Sequence, residues 1–296
     1  MASPCHLAIK GKLVIVGKEP DGDSVRFVAD NPSHYAELRN GHRARVTKSD
    51  GSVQLRFEGV DAPELHYGTD AQPLGEKARD QLLRWIGFTN VEYATGTTRV
   101  TAAEPASVRA AILSKAVERN GRPVAFVLLD ADAQDLSSGE WTDIDARLIG
   151  KTLNARLLES GMAYYTVYTS TPLRSTLRSL ASRARRANQG QGRGVWRADC
   201  THDFTLVDQA SIGPEGQLVL PKLFRRCTDY LKAVDNGFDG NLAEWIVAVS
   251  ATTRSENDPV VLADGTEVRL ADLLRQMNSS IVFQPDLLDI AFVETS

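Results

Sequence analysis

The chain has 296 residues, 42% hydrophobic and 24% charged, with a formal net charge of -4. That is the composition of an ordinary globular protein of one large or two smaller domains. The charge argues against a protein that coats nucleic acid indiscriminately, but not against one that acts on it through a local basic surface. No stretch approaches the roughly 18 apolar residues of a membrane span. The start, Met1-Ala2-Ser3-Pro4-Cys5-His6, lacks the basic-then-apolar pattern of an export signal, so the expected location is cytoplasmic, with no membrane partner. Cys5, Cys200 and Cys227 are too widely spaced for a disulfide framework or a metal cluster and read as free thiols.

Leu7 to Gly17 is rich in Val and Ile and reads as a strand. Lys18 to Asp23 is a turn built on Pro20 and Asp21-Gly22, and Ser24 to Val28 returns as a second strand. Asp30 to Gly51 is polar and broken at Asn31-Pro32, Asn40-Gly41 and Asp50-Gly51. It reads as a surface insertion, which costs little to close. A third strand is expected over Ser52 to Val60, with Val53, Leu55 and Phe57 on one face and Gln54, Arg56 and Glu58 on the other. Gly59 weakens it and Pro63, which has no ladder donor, ends it. Glu76 to Ile86 has Ala78, Leu82, Leu83 and Ile86 on one helical side, with Gly87 as the stop.

Val91 to Tyr93 begins another strand, whereas Gly96 to Pro105 has no clear pattern. Asn120-Gly121 is a hairpin signal, so Arg109 to Val117 and Pro123 to Leu129 are expected to pair. Ile144 to Ser160, and the stretch from Pro172 through Ala184, read as helices stopped by Gly161 and by Gly190-Gln191-Gly192. About five strands with helices after the third and fifth lack a strand-helix-strand rhythm. They fit a small antiparallel barrel decorated with helices, an α+β arrangement. Cations dominate from Arg147 to Arg197 and acidic residues regain the majority after Asp199, which suggests one domain over 1–200 and another over 201–296. The second reads as small and mixed α/β. Helices are expected over Pro221 to Val234, Asn241 to Val249 and Leu270 to Met277, with a hairpin around Asp264-Gly265.

Three places carry chemistry: Asp21-Gly22-Asp23 on a hairpin tip, Arg56 with Asp61 and Glu64, and Arg119-Asn120-Gly121-Arg122 on another tip. Carboxylates from separate turns can supply the oxygens a hard divalent cation needs. Arginine's planar fork matches the oxygens of an anionic phosphodiester transition state, and a further carboxylate can take a proton from water. Singly, each place is also an ordinary turn, strand end or solvated arginine.

In order and in context, the three resemble the staphylococcal nuclease family. That family has an Asp-Gly-Asp-Thr/Ser hairpin, an Arg-x-x-x-x-Asp-x-Pro-Glu segment, a helix and a Gly-Arg hairpin. Here these are Asp21 to Ser24, Arg56 through Asp61-Ala62-Pro63-Glu64, the helix from Glu76, and Gly121-Arg122. The likeness continues through Leu153 to Ala163 and ends near Gly194-Val195-Trp196, covering roughly residues 7–198.

The resemblance implies a five-stranded, oligonucleotide-binding-type barrel with three helices and calcium-dependent cleavage of DNA and RNA. It implies Asp23, Asp61 and the Ala62 carbonyl as calcium ligands, Arg56 and Arg122 as phosphate clamps, and Glu64 as base. Arg119, Asn120, Tyr165 and Tyr168 would touch nucleic acid. Asn120 stands where relatives carry Tyr, and the tyrosines, one residue out of register, can stack on bases or pack on the barrel. Residues 201–296 have no counterpart in the minimal nuclease and would serve regulation, targeting, a protein partner or self-association. The other reading is a catalytically silent barrel that binds nucleic acid or protein.

Overall fold

The computed structural model describes residues 5–252 and 258–294. In chain order it opens with strands β1 (Cys5–Val14), β2 (Arg26–Ala29), β3 (Ser52–Gln54), β4 (Arg56–Phe57) and β5 (Val60–Asp61), then helix α1 (Gly75–Ile86). Next come β6 (Thr89–Tyr93), β7 (Val100–Glu104), β8 (Val108–Val117), β9 (Pro123–Leu129) and β10 (Trp141–Asp143), followed by α2 (Ala146–Gly150) and α3 (Leu153–Ser160). After β11 (Tyr164–Tyr165) lie α4 (Arg174–Arg186), α5 (Val195–Ala198), β12 (Asp203–Thr205), α6 (Pro221–Asp235) and α7 (Leu242–Thr252). Strands β13 (Pro259–Val261), β14 (Glu267–Arg269), β15 (Leu274–Met277), β16 (Ser280–Phe283) and β17 (Ala291–Phe292) follow. The chain forms two compact units, Met1–Val60 with Lys77–Glu159, and Asp61–Glu76 with Ser160–Ser296. No described helix is long and apolar enough to cross a membrane.

The first unit is built on one sheet in the order β3-β2-β1-β8-β9-β4, with β10 added on β1. Its pairs are antiparallel except β4 with β9, which run parallel. The two ends of that order, β3 and β4, are separated only by Leu55. The chain thus leaves one sheet edge and enters the other within a residue, which requires the sheet to curl into a barrel-like form. This also corrects the expectation of one unbroken strand over Ser52 to Val60. The stretch must serve β2 at one edge and β9 at the other, and Gly59, at φ +79°, turns the chain before β5. Leu7, Ile9, Leu13, Phe27, Val53, Leu55, Phe57, Ile112 and Phe126 are all buried and form the core.

Asn154, at the start of α3 and 0% exposed, fastens this curl. Its Nδ2 donates to the carbonyls of Glu58 (2.9 Å) and Ala125 (3.0 Å), and its Oδ1 accepts from the Val127 amide (3.0 Å). The expected helix over 144–160 is two helices, and Thr152 divides them. Its hydroxyl donates to the Ile149 carbonyl (2.7 Å) and accepts from the Ala155 amide (3.1 Å), ending α2 and starting α3. The 30–51 insertion is not a bare loop. The Arg39 amide donates to the Lys115 carbonyl (3.0 Å), the Val117 amide donates to the Arg39 carbonyl (2.9 Å), and the insertion therefore lies along β8.

The second unit packs α6 and α7 with the three-stranded sheets β12-β16-β15 and β14-β13-β17. One apolar cluster runs from Tyr164 and Val195 through Phe204, Phe224 and Trp245 to Phe283 and Phe292, so residues on both sides of position 200 share a core. The helix expected over Leu270 to Met277 is a short 3-10 turn followed by β15. Asn278-Ser279 turns β15 back into β16, with Asn278 at φ +56°, the left-handed conformation a tight hairpin needs. Arg178 and Arg185 of α4 pair with Asp289 and Asp286, and Arg178 Nε also reaches the Leu288 carbonyl at 2.9 Å. These cations are therefore engaged within the unit.

Candidate active site

In the first unit, Asp23, Arg56 and Arg122 are brought to one end of the curled sheet. The Asp21 carboxylate accepts from the Gly22 amide of its own turn at 2.6 Å. The Asp23 carbonyl accepts from the Phe57 amide (3.2 Å), which sets the Asp23 hairpin beside the start of β4. Arg56 lies in register with Val124 of β9, and Arg122 stands just before that strand. Glu118 presents Arg122: its Oε1 accepts from both the Arg122 amide and Nε, each at 3.1 Å. With its Nε held in this way, Arg122 lines the adjoining pocket.

That pocket has a volume of about 370 Å³ and is lined by Arg26, Arg45, Thr47, Gln54, Asn120 and Arg122, among others. Arg26 donates to the Thr47 hydroxyl at 3.0 Å. The Arg45 amide donates to the Gly121 carbonyl at 2.9 Å. Gly121 is at φ +82°, and a Cβ there would fall 2.4 Å from Arg45 Cγ and 2.6 Å from the Arg43 carbonyl oxygen. Glycine at this tip is what lets the insertion close against the Arg122 hairpin. Arg26 and Arg45 belong to the pocket yet were not expected from the sequence, because only the fold places them beside Arg122. Arg119 and Asn120 sit on the same tip.

The second unit holds Asp61, Ala62 and Glu64. Asp61 is 6% exposed and Ala62 is buried. Gln72, 3% exposed, fixes the segment: its Oε1 accepts from the Glu64 amide (3.1 Å), its amide donates to the Glu64 carbonyl (2.8 Å), and its Nε2 donates to the Val219 carbonyl (2.8 Å). Val219 leads into α6. From that helix Arg225 donates to Asp61 Oδ2 at 3.2 Å and to Glu64 Oε1. Burial works against the Arg225 charge, but the two carboxylates outweigh it and hold its pKa above the ordinary arginine value. One turn on, Asp229 accepts from the Tyr67 hydroxyl at 2.6 Å, and Lys232 lies 3.6 Å from Asp70. Burial and the Asp229 bond push the Tyr67 phenol up to about 12, so it remains a donor. Positions 225, 229 and 232 form one stripe of a helix, applied along residues 61–70.

These contacts bear directly on a metal. Calcium takes six to eight oxygens. Here Asp61 and Glu64 are joined to a guanidinium, and among the described residues no group of three or more His, Cys, Asp or Glu side chains is arranged to hold an ion. In this arrangement the residues do not fit a calcium site. The tyrosines sit as packing residues. Tyr165 is 5% exposed and its hydroxyl donates to the Arg174 carbonyl at 3.4 Å, while Tyr168 lies 6.1 Å from the Phe292 ring.

No curated protein shows a match to the chain. Residues 54–198 match the family described as staphylococcal nuclease homologue, a span that includes Arg56, Asp61, Glu64 and Arg122 and ends two residues short of position 200. With its curled sheet, its helices and this match, the chain carries a staphylococcal nuclease homologue domain, followed by a smaller region of sheets and helices outside it.

Proposed function

We propose that the protein hydrolyses phosphodiester bonds of DNA and RNA. The observation that carries the reading is Arg122, held by Glu118 in the lining of a basic pocket at the mouth of β9, the strand with which β4 pairs Arg56. Two arginine forks suit the oxygens of a scissile phosphate and the charge that grows on them. Glu64 takes the proton of the attacking water as the ester P–O bond breaks. Arg26 and Arg45 extend the phosphate track, with Arg119 and Asn120 at its rim. The calcium ligands implied by the family resemblance are Asp23, Asp61 and the Ala62 carbonyl. Asp61 serves that role only once its bond to Arg225 is broken. Three free thiols suit a reducing cytoplasm. We assign residues 1–200 to the nuclease-like domain, a boundary supported by the end of the family match at 198.

The test is cleavage of plasmid, single-stranded DNA and RNA by the full chain and by Arg225→Gln, in calcium and in chelator. Chelator-sensitive cleavage that Glu64→Ala abolishes is the expected result. Absence of cleavage by both proteins would overturn the proposal. A second reading, a barrel that binds nucleic acid without cutting it, is favoured by one observation, the engagement of Asp61 and Glu64 by Arg225. Salt-sensitive binding without turnover would establish it.

A further inference from the structure

The proposed reaction assigns no step to Arg225, yet Arg225 is bonded to both acids that the reaction uses in this unit. A guanidinium fork can bridge two carboxylates, which offsets one of their two charges and occupies the oxygens facing it. A divalent cation would need the same oxygens. The contact is built rather than incidental. Gln72 ties the Glu64 backbone to Val219 at the entrance of α6. The Tyr67 bond to Asp229 and the approach of Lys232 to Asp70 repeat the docking along the helix stripe. The other side of α6 is held as well. Asp258 receives Lys222 Nζ at 2.6 Å and Arg226 Nε at 2.8 Å, and Leu223, Phe224 and Cys227 are buried in the core. With the helix anchored on both sides, the group able to move is the Arg225 side chain, which is 28% exposed.

We propose that Arg225 stands in the place of a divalent cation, so that the C-terminal region keeps the acid pair bridged and closed to the ion. This rests on the roles given above to Asp61 and Glu64. Because the competition is a binding linkage, cation and Arg225 weaken each other by the same factor.

Calorimetric titration of the full-length chain with calcium chloride reads that factor directly. Arg225→Gln keeps a polar side chain but loses the charge and the reach of the guanidinium. It is expected to bind calcium about 5- to 150-fold more tightly than the wild type, the usual span of coupled sites. Arg225→Lys, which keeps the charge but not the fork, is expected to fall between them, and it serves as well if the glutamine variant folds poorly. The calcium needed for half-maximal cleavage should drop by the same factor. Unchanged or weaker calcium binding in both variants would overturn the inference. Tighter binding by Arg225→Gln with no cleavage by either protein would leave the inference standing and remove the phosphodiesterase reading. Equal cleavage by wild type and variant at limiting calcium would do the reverse.

Discussion

Arg122 is useful to a phosphodiesterase only if its fork is held in place, and Glu118 holds it through Nε and the backbone amide. Removing either clamp arginine, Arg56→Ala or Arg122→Ala, is expected to cost about 10²–10³ in cleavage rate, the usual loss for one preorganised donor. Arg122→Lys should do little better, since an ammonium lacks the fork. Glu118→Ala leaves Arg122 present but unheld. It is expected to lower turnover by up to about 10²-fold, as misplacement by an ångström can, with little change in thermal stability. Arg45→Ala should weaken single-stranded DNA binding evenly across sequences and reduce the salt slope by about 1, measured by fluorescence titration over a range of salt. Arg56 and Arg122 were singled out from separate short motifs, and the sheet brings them together at β4 and the start of β9. Glu118 lies four residues from Arg122 across the hairpin tip, and a reading that paired strand ends as well as motif letters would have found it. Arg225 left no such mark. Its spacing with Asp229 and Lys232 is that of any polar face on an amphipathic helix, and only tertiary structure supplies the carboxylates it meets.

At the scale of elements, two contacts carry measurable stability. Asn154→Ala would remove the partner of the Val127 amide, at about 1–3 kcal/mol for a buried group, read by denaturant unfolding. Asp258, 6% exposed and placed between Lys222 and Arg226, is the second. Burial raises its pKa, but the two cations prevail and leave it below the usual 3.8. A lowered carboxylate stabilises the fold at pH above its unfolded value and loses that contribution as pH falls through its folded value. Asp258→Asn should therefore destabilise the chain near neutrality, by about 3–5 kcal/mol if the pair behaves as other broken buried pairs do, and flatten the acid limb of the stability curve. The β8–β9 hairpin was readable from Asn120-Gly121 and its flanking β-rich runs. The Leu270 to Met277 stretch was not, because Leu270, Leu273, Leu274 and Met277 fall at helical spacing. Pairing with β16 through the Asn278 turn overrides that period.

For the whole molecule, family and compactness divide the chain differently. The family match stops at residue 198, whereas Tyr164, Val195 and Trp196 pack in one cluster with Phe204 and Phe224. The Tyr164 hydroxyl also donates to Asp199 at 2.9 Å. A fragment ending at residue 200 would expose the apolar faces of these residues. It is expected to unfold at lower temperature than the full chain and to self-associate, as seen by thermal melting and size-exclusion chromatography. A fragment as stable and monodisperse as the full chain would show that the shared cluster is dispensable. The barrel-like sheet and the helices were foreseeable from patterns of strands and turns. The shared core was not, since a composition shift marks where charge changes and is blind to what packs across it.

The joint at Leu55 also has a kinetic consequence. The pairing of β4 with β9 closes a very long loop, so it is slow to form and comes after the hairpins that can form locally. Asn154 bonds only to groups on the two sides of that closure, so its contacts are absent until the curl is complete. Asn154→Ala is thus expected to speed unfolding while leaving the folding rate nearly unchanged, a displacement of one arm of the chevron in stopped-flow measurements. A slowed folding arm would place the closure early, inside the nucleus. If the expected pattern holds, the residue that fastens the sheet governs how long the native protein lasts, and has little influence on how fast it is made.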